Sequence, residues 1–300
     1  MTETNAQATT HRTCFAPLPA TRPRRFTLPA GSWDTHAHVI SLDPAYPMVG
    51  TRHYNPHAAS AADFIGMLDA VGHRYGVLVQ VSVHGTDNRL LLESLRAYPE
   101  RLRGVAVISP NTPDRELAEL KAAGVVGARI QTVVGGGIGP EDFDAITGRC
   151  ADFGWHLQLC LNGDEYPAMV PRLLKLKIPF VIDHMGWFDI AQGINGAGFQ
   201  AVMHLVRNTD CLVKILGAFR RSLEGPPYRD TIPYAAALID AAPDRMVWAS
   251  DWPHVGMFDA ARMPRIGDLL DHLHETTGDP ALLKKILVDT PARFYGLPKG

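Results

Sequence analysis

The chain has 300 residues, with 29 basic and 31 acidic side chains, a formal net charge of -2 and 46% hydrophobic residues. That length can bury a sizeable core, while the near balance of charge excludes nucleic acid and an anionic membrane surface as partners. A small molecule is the expected ligand, and only seven of the 29 basic residues are lysines, so arginine, the better fork for carboxylate or sulfonate groups, dominates.

Residues 1–31 are rich in Thr, Ala, Pro and Arg, with Pro17, Pro19, Pro23 and Pro29 interrupting any regular element. The segment reads as an extended or partly disordered arm whose arginines are candidate contacts for a homo-oligomer. Its opening lacks the basic start and apolar run of a secretory signal, and nowhere do about 18 apolar residues follow one another. The widely spaced Cys14, Cys150, Cys160 and Cys211 form no CxxC pair, so reduced thiols in the cytoplasm are expected.

From Gly31 onward, in a domain taken as residues 32–300, apolar runs of strand length alternate with amphipathic stretches, the signature of βα units around a parallel sheet. Strands are predicted at 33–39, 76–83, 104–108, 126–130, 155–161, 180–184, 211–216 and 246–250. Helices are predicted between them at 61–71, 89–97, 114–123, 140–153, 167–176, 198–208, 228–241 and 262–274. Asp87-Asn88 and Asp114 mark helix starts, and a closing helix at 281–288 is ended by Thr290-Pro291. Eight strands is the count for a closed (β/α)8 barrel, an α/β fold whose chemistry belongs at the C-terminal ends of its strands.

Polar residues gather at those ends. His36 and His38 close the first strand, where a period of two sends both imidazoles to one side. Such a pair can hold a metal through neutral nitrogens, polarise a carbonyl as donors, or sit as satisfied core histidines. Gln80 and Ser82 end the second strand, Arg129 and Gln131 the fourth, Asn162 the fifth, Asp183 and His184 the sixth and Asp251 the eighth. Beside imidazoles, the Asp251 carboxylate can take a proton from water and return it to a leaving oxygen; alone, it would read as a helix cap before Pro253.

The segments Asp34-Thr35-His36-Ala37-His38, Val79 through Asn88, Asp183-His184-Met185-Gly186 and Ser250-Asp251-Trp252-Pro253-His254 together resemble the amidohydrolase superfamily. More narrowly, the chain is similar to the lactonase branch that includes 2-pyrone-4,6-dicarboxylate lactonase, sulfomuconolactone hydrolase and sugar-lactone members. The resemblance covers about residues 31–297 and implies a distorted TIM barrel. It also implies that His36, His38, His184 and Asp251 are catalytic, and that they are the ligands if a single metal such as Zn2+ is bound. Some members are metal-independent and others are zinc proteins, and the sequence does not choose between them. Tyr54, Ser82, Arg129 and Arg220 fall on substrate-binding positions, with Arg221 competing for the role of Arg220. Arg129 has a second reading as a salt bridge inside the barrel.

Departures from the family pattern matter too. Trp187 and Thr132, or a neighbour of Thr132, stand where the pyrone-dicarboxylate lactonases place arginines, so that dicarboxylate is not the expected substrate. The Gly135-Gly136-Gly137 run is read as a flexible loop, and the other histidines as surface or packing residues, with His84 and His254 supporting the site. The expected activity is hydrolysis of a small-molecule lactone carrying a carboxylate or sulfonate, in aromatic-compound or sugar-acid catabolism. A sugar-lactone isomerase using the same residues and a non-catalytic binding barrel are the alternatives.

Overall fold

A period of two along each short strand sends alternate residues into the barrel and out towards the helices. The computed structural model, which describes residues 11–298, arranges eight parallel strands in chain order: β1 (Trp33–Ala37), β2 (Tyr75–Val79), β3 (Leu102–Ala106), β4 (Val125–Gln131), β5 (His156–Cys160), β6 (Phe180–Ile182), β7 (Leu212–Ile215) and β8 (Met246–Trp248). The ring closes just past the strands. There Ala37 bridges Trp252, Asp251 N donates to His36 O at 3.0 Å, and His38 N donates to Trp252 O at 2.8 Å. The seam therefore fixes Asp251 against the H-x-H pair by backbone hydrogen bonds.

Inside, the lower barrel is apolar. Trp33, Val77, Val79 and Val105 pack with Tyr295, and Val181, Leu212 and Val247 pack against Phe294. Both aromatics come from the last helix, Thr290–Tyr295, which plugs the N-terminal end. Polar side chains follow one layer higher: Lys214 stands two residues beyond Leu212 on the same inward face.

The helices lie where the periodicity puts them, with differences at the ends. Ser60 and Asp63 form a capping box for Ala61–Val71, which satisfies two orphan backbone donors. Asn88 precedes Arg89–Ala97 but makes no cap bond; its side chain instead exchanges hydrogen bonds with Val107, at 2.9 and 3.1 Å. The closing helix does not stop at Thr290-Pro291. Pro280–Lys284 continues through a π turn, Lys285–Asp289, into Thr290–Tyr295, the wider turn accommodating a proline that has no N–H to offer.

Of the expected N-terminal arm, residues 1–10 lie outside the described residues. Residues 11–31 have almost no regular structure, yet they are tied down: Thr13 bridges Asn55, Phe15 N donates to Met257 O at 2.9 Å, and the Arg24 and Arg25 amides donate to Asp271. No helix among the described residues is long and apolar enough to cross a membrane.

Candidate active site

β6 ends at Ile182 and β8 at Trp248, so His184 and Asp251 sit in the turns beyond them, with φ of 50° and 63°. Left-handed backbone at a non-glycine residue costs roughly 1–2 kcal/mol. Here it turns both side chains towards β1, and such strain concentrates at functional sites. The His36 and His38 rings lie 4.9 Å apart and perpendicular, and His184 is 5.4 Å from His36. Asp251 Oδ1 is 3.8 Å from His36 Nε2 and 3.5 Å from His38 Nε2.

The other oxygen of Asp251 belongs to Arg220. Nε and Nη2 of that guanidinium lie 2.6 and 2.5 Å from Oδ2, and Nη1 donates to Val255 O at 3.0 Å. Burial alone would raise the Asp251 pKa, but Arg220 and the surrounding imidazoles outweigh it and hold the carboxyl well below its usual range. Arg221 points elsewhere, donating to Phe188 O at 2.7 Å. The short helix Ala218–Arg221 that separates the two arginines has no counterpart among the predicted elements. Four residues are too few to show a period.

Beneath the imidazoles lies a buried polar network. Asp183 Oδ2 accepts from Arg129 Nε at 3.1 Å and from Gln158 Nε2 at 2.9 Å. Its Oδ1 is 3.3 Å from both Lys214 Nζ and His36 Nδ1. Burial pushes Asp183 up, but Lys214, His36 and Arg129 hold it well below the ordinary value, while burial pulls Lys214 down to about 8. Arg129 thus makes the core salt bridge and also lines the cavity. The sequence marks neither Lys214 nor Gln158 as a site residue, and Asp183 only as one more polar strand end. The available signal was a lysine at an inward position of the apolar run Cys211–Leu216, which cannot reach water and so must have a partner.

A cavity of about 320 Å³ opens above this floor. Its wall includes His38, His184, Tyr54, Ser82, Arg129 and Arg220, with Tyr54 Oη 3.3 Å from Ser82 Oγ. His53, which the sequence marks as a surface or packing residue, also lines it, carried there by the loop after β1. His84 does not support the site: it accepts from Ser41 N at 3.3 Å and lies 3.4 Å from Pro47 O, holding the loop after β1. His254 is buried beside Asp251, whose carbonyl accepts from His254 N at 2.8 Å. The glycine run is not a loose loop. A Cβ on Gly136 would stand 2.2 Å from Ser82 O, and one on Gly135 2.0 Å from Thr51 O, so glycine is what lets this backbone close over the β2 turn. Trp187 packs edge-on against His184 at 4.8 Å, and Thr132 hydrogen-bonds Glu165; neither position offers a cation.

The amidohydrolase family model matches residues 33–297. The chain belongs to the amidohydrolase family. Within it, this amidohydrolase is 35% identical over 286 residues to a 4-sulfomuconolactone hydrolase of Hydrogenophaga intermedia, covering 94% of each chain. It is 32% identical to a 2-pyrone-4,6-dicarboxylate hydrolase of Comamonas testosteroni, covering 90% of this chain and 92% of that protein. Among solved structures, an apo protein of Agrobacterium tumefaciens superposes with a TM-score of 0.80 at 26% identity, over 95% of this chain and 98% of the other.

The donor set suits a divalent cation. One ligand atom each from His36, His184 and Asp251 lies within 4.8 Å of the others, and His36 Nε2 and His184 Nδ1 are buried with no hydrogen-bond partner. His38 Nδ1 is 2.8 Å from Val79 O, the bond that orients a ligating imidazole. That leaves a bare Nε2 3.5 Å from Asp251 Oδ1, two electron-rich atoms between which a cation can sit.

Proposed function

We propose that this amidohydrolase opens the ring of a small anionic lactone by hydrolysis, with Asp251 as the proton-transfer group. The observation that carries the reading is the meeting of Asp251 Oδ1 with the imidazoles of His36, His38 and His184 at the floor of a cavity that also has the Arg129 cation on its wall. The lactone hydrolases named among its relatives agree with it.

Oδ2 is occupied by Arg220, so Oδ1 is the oxygen that receives a proton from water as the water oxygen bonds to the ring carbonyl carbon. Charge then develops on the carbonyl oxygen, where imidazole N–H groups stabilise it. When the ring C–O bond breaks, Asp251 returns the proton to the leaving oxygen. A carboxylate held ionised this firmly is a weak base but a ready acid, so protonating the leaving group is the easier half. Zn2+, held by His36, His38, His184 and Asp251, would supply Lewis acidity towards the carbonyl. Arg129 would hold the carboxylate or sulfonate. With Trp187 and Thr132 offering no second and third cation, a substrate with one strongly held anionic group fits better than a clamped dicarboxylate.

The test is proton release over a panel of carboxylated and sulfonated lactones in water enriched in oxygen-18. Hydrolysis places one heavy oxygen in the product carboxylate, whereas an isomerase would place none. Asp251→Asn is expected to lower kcat at least about a hundredfold. Turnover without label uptake, or a near-normal rate in D251N, overturns the reading.

A further inference from the structure

We propose that Lys214 fixes the tautomer of His36, so that the two histidines of the H-x-H pair face the site in opposite states, His36 as a donor and His38 as an acceptor. The proposal deepens the hydrolase reading, since it assigns the oxyanion-stabilising N–H to His36.

Donors and acceptors around Lys214 must balance. An ammonium has three N–H donors and no acceptor. Lys214 is fully buried and has three polar neighbours: Gln158 Oε1 at 2.9 Å, His36 Nδ1 at 3.2 Å and Asp183 Oδ1 at 3.3 Å. Gln158 gives its Nε2 to Asp183 Oδ2, so its carbonyl must be what faces the lysine. Asp183 only accepts. Asp183 Oδ1 is also 3.3 Å from His36 Nδ1 but out of line for a ring N–H, whereas the Lys214 contact is aligned; a hydrogen on Nδ1 would therefore set a donor against a donor in a dry interior, which costs the desolvation of both groups. With Nδ1 as acceptor, the ammonium makes two aligned hydrogen bonds, to Gln158 Oε1 and His36 Nδ1, and keeps its ion pair with Asp183 Oδ1.

The imidazole hydrogen of His36 then resides on Nε2. That atom is buried and has no protein partner, and it lies 3.8 Å from Asp251 Oδ1; it is a donor waiting for a ligand oxygen. His38 is wired the other way. Its Nδ1 donates to Val79 O at 2.8 Å, so its Nε2 presents a lone pair. The H-x-H pair, identical in sequence, is made unlike by what lies behind each ring. For a cation to use His36 Nε2, the hydrogen would have to move to Nδ1 against the Lys214 ammonium, so Lys214 is also expected to weaken metal binding at His36 without touching His38.

The test reads tautomers directly. In 15N-histidine-labelled protein at pH 7.5, two-bond nitrogen–proton correlations distinguish Nε2–H from Nδ1–H, with His36 and His38 assigned from the signals lost in His36→Gln and His38→Gln. The expected wild-type result is Nε2–H for His36 and Nδ1–H for His38. Lys214→Met should switch His36 to Nδ1–H, now donating to Asp183, leave His38 unchanged and tighten Zn2+ binding in a chelator competition by about tenfold or more. Lys214→Arg should retain the wild-type tautomer. Nδ1–H at His36 in the wild-type protein overturns the proposal, and this readout needs no variant of Lys214 to fold. A His36 tautomer unaltered in K214M overturns it as well. None of these signals depends on turnover, so a protein with no lactonase activity but the expected tautomers would sink the hydrolase reading and leave this one standing.

Discussion

Removing the Arg220 guanidinium would take from Asp251 Oδ2 the two nitrogens that now lie 2.6 and 2.5 Å away. Burial, which alone raises the pKa of this carboxyl, would then be opposed only by the imidazoles. The charged form loses more than the neutral form, so the pKa rises, and the acid limb of the kcat profile should move to higher pH by about one unit or more in Arg220→Gln. An acid limb that stays in place would remove Arg220 as the group that keeps Asp251 ionised. Gly217 offers a second test at this scale. Its φ is +88° and an added Cβ would sit 3.0 Å from His184 Nδ1, so Gly217→Ala should cost roughly 1–2 kcal/mol of stability and lower kcat by pushing the ring. Gly148, in the helix Phe143–Phe153 with nothing near its Cβ position, is the control: Gly148→Ala should stabilise by about 0.5–1 kcal/mol and leave kcat alone. Equal effects from the two glycines in denaturation and rate measurements would contradict the geometry.

Secondary-structure elements were the most readable part of the sequence, and their ends the least. All eight strands were visible as apolar runs because a parallel sheet is covered on both faces. The predicted strands overrun the observed ones at 33–39, 76–83, 180–184 and 246–250, because the chain leaves the sheet for turns whose residues continue the pattern: a 3-10 turn at Ser82–His84 and left-handed backbone at His184. The convergence of His36, His38, His184 and Asp251 was legible because the barrel puts strand ends together. The Lys214 network was not, because its partners Gln158, His36 and Asp183 come from β5, β1 and the turn after β6 and nothing local marks them. In the sequence the short segment at 12–15 shows only as part of an arm. It links two cavity-lining loops: Asn55 N donates to Arg12 O at 2.8 Å, Cys14 N to Asn55 O at 3.0 Å and Phe15 N to Met257 O at 2.9 Å, while Arg12 stacks on Phe258 at 4.5 Å. Tyr54, next to Asn55, and Phe258 both line the cavity. Deleting residues 1–16 should therefore make substrate binding carry the cost of ordering these loops, raising KM by about tenfold with kcat changed by about twofold or less. Unchanged KM in the truncated protein would show that the loops hold themselves.

Across the whole molecule, acid stability should be governed by histidines buried in their neutral form. Burial pulls His73, His156 and His184 down to about 3 and His254 and His272 to about 4, while each returns to its usual value near 6.5 when the chain unfolds. Above that pH these groups are neutral in both states and contribute nothing. Below it the unfolded chain binds protons that the folded chain refuses, so stability falls as pH falls, by about 1.4 kcal/mol per pH unit for each proton of difference. Asp34 works in the opposite sense: its folded pKa is raised to about 6, so between that value and its ordinary one the folded state holds the extra proton. One carboxyl cannot offset five imidazoles, and Asp183 and Asp251, both held low, add to the loss at more acid pH. The melting temperature should drop steeply from pH 6.5 towards pH 5, well before ordinary carboxylates titrate. His73 isolates one member of the set, because it stacks on Trp248 at 5.4 Å, both its ring nitrogens lack partners and it is not among the residues lining the cavity. His73→Phe keeps the stacked ring and removes the proton site, so its stability should fall with pH less steeply than the wild type by about 1.4 kcal/mol per unit. Equal slopes for the two proteins in calorimetry between pH 7 and 5, or no slope in either, would show that these imidazoles take up their protons without unfolding.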